Sequence, residues 1–189
     1  PLSDRDVPVL WAGRICKIKQ PEVLFRAAEA LTRVQFHMAG GAVHRDHSFD
    51  NARDLASRTP NVRFHGQLRY DEMGSLFDRA RIFVNTSESE GFPNTFLQAW
   101  SRGIPVISFV DPNAVIESNG LGVRVNSTAE MVSAIKALES NPTLWETVSR
   151  KCRSYANKNL NPDRNLERYI NAFESISLTF PTSPTTPRT

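Results

Sequence analysis

Two short stretches carry residue types whose spacing could do chemistry together. The first is Gly13-Arg14-Ile15-Cys16-Lys17-Ile18-Lys19, where an arginine and a lysine five positions apart follow a glycine that lets the backbone turn closely. A guanidinium offers phosphate oxygens a planar fork and an ammonium offers a mobile point charge, so Arg14 and Lys19 could hold one pyrophosphate from two sides. Taken alone, the same pattern describes solvated surface cations. The second stretch, Glu88-Ser89-Glu90-Gly91-Phe92-Pro93-Asn94-Thr95-Phe96-Leu97-Gln98, links an apolar IFVN run to a helical NTFLQAWS pattern. A helix starting there would aim unpaired N–H groups at an anion, with Asn94 or a neighbour as its cap. Glu90 is an acceptor-only carboxylate suited to sugar hydroxyls, and Gln98, one turn inside the helix, can pair with a ribose diol. Each also reads as a plain surface polar group; their joint occurrence around Gly91-Phe92-Pro93 favours binding.

Elements of a particular kind must position these groups. Short β-rich runs at 7–12, 35–39, 62–65, 82–85, 106–109 and 122–125 alternate with helical patterns at about 22–31, 49–57, 71–78, 94–101 and 129–138. That rhythm predicts a Rossmann-like, doubly wound α/β fold: a parallel sheet of about six strands with helices on both faces. Two closing helices are expected at about 143–158 and 164–177, each after an Asn-Pro start signal. Ligands of such sheets bind beyond the carboxyl ends of the strands, where both chemical stretches fall.

The segment EGFPNTFLQAWSRGIPVI resembles the part of group 1 (family 4) glycosyltransferases in which glutamates eight apart bracket a Gly-Phe-Gly or Gly-Phe-Pro turn, followed by Gly-x-Pro-Val-Ile. Gly13-Arg14 with Lys19, the Gly40-Gly41 turn and Val62-Arg63-Phe64-His65-Gly66 resemble further marks of that family, so the likeness runs from Val9 to about Ile176. It implies the carboxy-terminal, donor-binding domain of a two-domain GT-B enzyme that transfers sugar with retention from a nucleoside-diphosphate sugar and uses no metal. Carried over, Arg14, Lys19 and Glu90 would be catalytic, the cations on the diphosphate and the acid on the transferred sugar. Gly13, Gly40, Gly41, Gly91, Phe92, Pro93, Asn94 and Thr95 would complete the donor site, with Gln98 on the ribose. Gln98 stands where the family carries its second glutamate, and Asp111-Pro112-Asn113 where many relatives carry paired glycines. The first departure keeps open a non-catalytic nucleotide-sugar-binding or regulatory module, and a generic interaction domain is a further alternative.

Composition bounds the rest. With 189 residues, 40% hydrophobic and 23% charged, the chain matches one globular domain, here 1–180, and 181–189 (PTSPTTPRT) reads as a flexible tail. A net charge of +3 falls short of a nucleic-acid footprint, and no apolar run reaches a membrane span. Cys16 and Cys152 suit a reducing cytoplasm rather than a disulfide framework. The four histidines lack metal-ligand spacing, and no metal or other cofactor is expected. The expected partners are a nucleotide sugar and an amino-terminal acceptor domain that this chain lacks. Mild basicity leaves open peripheral attachment to the inner face of a membrane.

Overall fold

A computed structural model describes residues 4–160, 166 and 170–173. Six strands form one parallel sheet: β1 (Val7–Ala12), β2 (Phe36–Ala39), β3 (Val62–Gly66), β4 (Ala80–Asn85), β5 (Val106–Ser108) and β6 (Gly122–Arg124). Their spatial order is β3-β2-β1-β4-β5-β6. β1 therefore lies at the centre, paired with β2 through Val9↔Phe36 and with β4 through Val9↔Ile82. The four inner strands, β2, β1, β4 and β5, are short and largely apolar because both their faces are covered, whereas the edge strands β3 and β6 are partly exposed.

Among the described residues seven helices between 21 and 159 do the covering: α1 (Pro21–Ala30), α2 (Ser48–Arg58), α3 (Tyr70–Arg79), α4 (Asn94–Ser101), α5 (Val115–Asn119), α6 (Thr128–Ser140) and α7 (Pro142–Asn159). Alternation along β1 splits the core. Val9 and Trp11 pack with Leu24 and Phe25 of α1 and Met131 and Ile135 of α6, whereas Leu10 and Ala12 pack with Phe77 of α3 and Phe96 and Trp100 of α4. α7 spans both layers, giving Trp145 to the first and Cys152 and Ala156 to the second. Its start follows the expected signal: Asn141 caps it, accepting from the Leu144 amide at 3.0 Å, with Pro142 in the first turn.

The expected strands form, β1 at its expected bounds and the others with one end displaced by one or two residues, and α4 spans its expected range. Three elements went unanticipated: α5 and two 3-10 turns at Lys17–Lys19 and Pro112–Ala114. Asn113 (φ 56°) and Ala114 (φ 53°) both lie in the left-handed region, a conformation that no apolar period encodes. The helix expected over 164–177 falls mostly outside the described residues, although the described positions 166 and 170–173 are helical; the tail 181–189 lies wholly outside them.

Candidate functional site: a crevice beside the central strands

Strand order reverses between β1 and β4, and a cleft of about 220 Å³ opens beyond their carboxyl ends. Gly13 and Lys19 enter it after β1, and Glu90 with Phe92, Pro93, Asn94 and Thr95 enter after β4. The ammonium of Lys19 bonds directly to the carboxylate of Glu90, with 19% and 15% of the side chains exposed. Glu90 also accepts from the Ser87 hydroxyl at 2.8 Å and from Asn85 Nδ2 at 3.4 Å, while Asn85 Oδ1 accepts from the Ser87 amide at 2.9 Å. Burial pushes the Glu90 carboxyl up, but the bonds from Lys19, Ser87 and Asn85 outweigh it and hold the group below its usual range. One cation and one anion thus stand in contact at the base of the crevice.

Helix α4 points its start at the same place. Its cap position falls on Pro93 rather than on Asn94, which is the first helical residue, and no side chain caps it. Proline has no side-chain acceptor, so the first-turn N–H groups beside Asn94 and Thr95 keep their capacity for an anion.

The remaining expected residues are distributed around this centre. Arg14 is exposed and, like Gly91 and Gln98, does not line the cleft. Gln98 lies partly buried on α4 with its carbonyl accepting from Ser101 and Arg102. Gly40 and Gly41 sit beneath the Gly13–Ile15 segment instead of in the cleft: the Gly13 amide donates to Ala39 at 3.1 Å and the Ile15 amide to Gly41 at 2.9 Å. Sequence reading missed Trp11, Asn85 and Ser87, which also line the cleft. The signal available for two of them was a polar Asn-Thr-Ser run ending an otherwise apolar strand.

A second hollow of about 460 Å³ adjoins the first across Glu90 and is bounded by Asp111, Pro112 and Ala114, in the loop where the sequence departs from the paired glycines of many relatives. A third, of about 410 Å³ between α1 and α2, contains none of the residues singled out above. Among the described residues no three His, Cys, Asp or Glu side chains are grouped to hold a metal, and no helix is long and apolar enough to cross a membrane.

A six-stranded parallel sheet in this order, with a charged crevice at its switch point, defines a Rossmann-like half of a GT-B fold. The chain belongs to the family described as glycosyl transferases group 1, whose sequence pattern matches residues 7–141. It is 27% identical over 157 residues to an alpha-galactosylglucosyldiacylglycerol synthase of Streptococcus pneumoniae, covering 81% of this chain and 42% of the relative. It is 27% identical over 163 residues to a D-inositol 3-phosphate glycosyltransferase of Salinispora arenicola, covering 79% and 34% respectively. The chain thus spans less than half the length of these curated relatives.

Among solved structures, sucrose-phosphate synthase from Thermosynechococcus elongatus superposes with a TM-score of 0.77 at 19% identity, over 95% of this chain and 47% of that one. TarM of S. aureus, solved with UDP, gives 0.74 at 20% identity over 89% and 36%. The carboxy-terminal domain of a group 1 glycosyl transferase (LpcC) from Francisella tularensis, solved by itself, gives 0.70 at 19% identity over 82% and 86%. These likenesses establish the fold.

Proposed function

We propose that this chain is the donor-binding domain of a retaining, metal-independent glycosyltransferase that uses a nucleoside-diphosphate sugar. The observation that carries the reading is the meeting of Lys19, Glu90 and the uncapped start of α4 in one cleft. When donor enters, its diphosphate lies against the α4 N–H groups and takes the Lys19 ammonium from Glu90, while exposed Arg14 closes from the rim. Glu90 is then released to the hydroxyls of the transferred sugar.

As the glycosidic bond breaks, negative charge builds on the departing nucleoside diphosphate. Lys19, Arg14 and the helix start oppose that charge with groups already in place, an electrostatic contribution that supplies the neutralisation a metal gives elsewhere. Retention follows from the family resemblance. Two structural neighbours were solved with UDP, which supports a nucleotide ligand.

The acceptor is held by an amino-terminal domain of the longer protein, so the 189-residue chain alone binds donor and transfers little. The names of relatives, a glycolipid synthase and a lipopolysaccharide core biosynthesis glycosyltransferase, support a role in polysaccharide or glycoconjugate assembly. Gln98 modulates the ribose contact, and Gln98→Glu in the full-length protein tests how much.

The deciding experiment is calorimetric titration of the chain with UDP, GDP, ADP and their sugar conjugates, with magnesium and with EDTA. We expect binding of one nucleotide irrespective of metal, abolished by Arg14→Ala with Lys19→Ala. Absence of binding by the folded chain, or binding only with magnesium, overturns the reading.

A further inference from the structure

The residue after β4, Thr86, is fully buried, and its hydroxyl is engaged in both directions. It accepts from the indole Nε1 of Trp11 at 2.8 Å and donates to the backbone carbonyl of Lys19 at 2.5 Å. The directions are forced, because an indole N–H only donates and a carbonyl only accepts. Trp11 belongs to β1 and is itself 3% exposed, so the Lys19 main chain is tied to both central strands through one hydroxyl.

A second tie lies close by, where the Glu88 amide donates to the Ile18 carbonyl at 2.9 Å. Immediately after these ties the Lys17–Lys19 turn ends at Gln20 with φ 44° and ψ 55°, a left-handed conformation that costs a non-glycine residue about 1 kcal/mol or more. Such a residue persists where its surroundings over-determine it, and the bond from Thr86 to the preceding carbonyl is one of the constraints doing so. The six residues 85–90 therefore grip Lys19 twice: by its main chain through Thr86, and by its ammonium through Glu90.

We propose that Thr86 is a positioning residue, and that the Trp11–Thr86–Lys19 relay sets where the Lys19 ammonium stands relative to the start of α4 and hence how tightly a nucleoside diphosphate is held. This rests on the donor-binding reading above. Thr86 touches no ligand; it acts through Lys19. A valine would keep the shape and remove both bonds, leaving the Lys19 carbonyl to settle elsewhere and the turn to relax from its strained end. A serine would keep both bonds.

The test is a double-mutant cycle in the 189-residue chain, read by calorimetry with UDP, GDP and ADP, and accompanied by carbon-13 NMR titration of the Glu90 carboxyl without nucleotide. Thr86→Val should weaken diphosphate binding about tenfold, and Thr86→Ser should recover it to within about threefold. In a Lys19→Ala background, Thr86→Val should change affinity by less than about twofold, since the residue it acts through is gone. Without nucleotide, Thr86→Val should move the Glu90 titration upward, toward that of Lys19→Ala. Trp11→Phe keeps an aromatic ring but removes the indole donor, and because Trp11 also lines the cleft it is read by the nucleotide-free Glu90 titration alone, which should shift in the same direction by less and covers a failure of Thr86→Val to fold. An equal loss from Thr86→Val with and without Lys19, or an unmoved Glu90 titration, overturns the proposal. If the wild-type chain binds none of the three nucleotides, the donor reading fails, while the Glu90 titration still decides whether Thr86 positions Lys19.

Discussion

A β-carbon built on Gly40 would stand 1.8 Å from the carbonyl oxygen of Gly13 and 3.0 Å from its carbon, so the turn after β2 presses directly on the turn after β1. The neighbouring atoms are backbone and cannot swing aside. Gly40→Ala should therefore displace the segment that carries Lys19 and destabilise the fold by about 3 kcal/mol or more. Gly91, where an added β-carbon meets nothing within 4 Å, is the control, and Gly91→Ala should stay within about 0.5–1 kcal/mol. Chemical denaturation followed by tryptophan fluorescence checks both.

Asn61 closes the end of α1. Its Nδ2 lies within 2.9–3.1 Å of three carbonyls, those of Ala28, Leu31 and Val34. Removing it leaves those acceptors without that donor, so Asn61→Ala should cost about 1–3 kcal/mol. Asn61→Asp should cost more, because a carboxylate brings repulsion where the amide brought two protons. Denaturation midpoints in that order, wild type above Ala above Asp, are the expected result; a more stable Asp variant would contradict it.

His37 and His65, on the adjacent strands β2 and β3, stack with ring centroids 5.1 Å apart and bring Nδ1 to Nε2 at 3.0 Å. Burial, then His65 and the cations Arg63 and Arg79, pushes His37 down to about 4 from the ordinary 6.5. Burial and the same two arginines also lower His65. A base with a depressed pKa in the folded state contributes its full stability above the unfolded value. Between about pH 6.5 and 4 the unfolded chain binds the extra proton, so stability falls as pH falls, by up to about 1.4 kcal/mol per pH unit. Denaturation at pH 7 and pH 5 should show the loss in the wild type and a clearly flatter profile in His37→Gln.

Cys152 is buried against the second core layer, with its Sγ 3.5 Å from the Leu121 carbonyl, and burial pushes its thiol up to about 12. At pH 8 it has neither thiolate nor access. Iodoacetamide followed by mass spectrometry should leave Cys152 unmodified in the native chain and modify it in denaturant. Native labelling at a rate comparable with a free thiol would show that α7 opens locally.

How far the sequence revealed all this differs from element to element. The strand-helix alternation is legible because the four inner strands, β1, β2, β4 and β5, are buried on both faces, and α4 keeps its range because Phe96, Ala99 and Trp100 repeat on one side. The Lys19–Glu90 contact joins residues 71 positions apart, and only the β1–β4 pairing brings them together; residue type suggested each role, but not their mutual bond. Asn85 and Ser87 stayed silent because a buried polar group announces itself only once its partner is known. Residue type offers Asn94 or a neighbour as the cap, and the backbone turns at the neighbour, Pro93, which brings no capping side chain. The loop at 111–114 departs from apolar periodicity altogether, with Asp111 accepting from the amides of Ile116 and Glu117 to start a helix too short for a repeat to mark.

The central place of β1 bears on how the chain is made. Its first hydrogen-bonded neighbour, β2, is complete by residue 39, but its other neighbour does not begin until residue 80. During synthesis at about 5–20 residues per second, several seconds separate the two pairings. Through that interval the apolar VPVLWA strand presents an unpaired edge of the kind that recruits other chains. A ribosome-bound fragment ending near residue 70 should accordingly engage chaperones and collect in aggregates, whereas one extending past β4 should resist both.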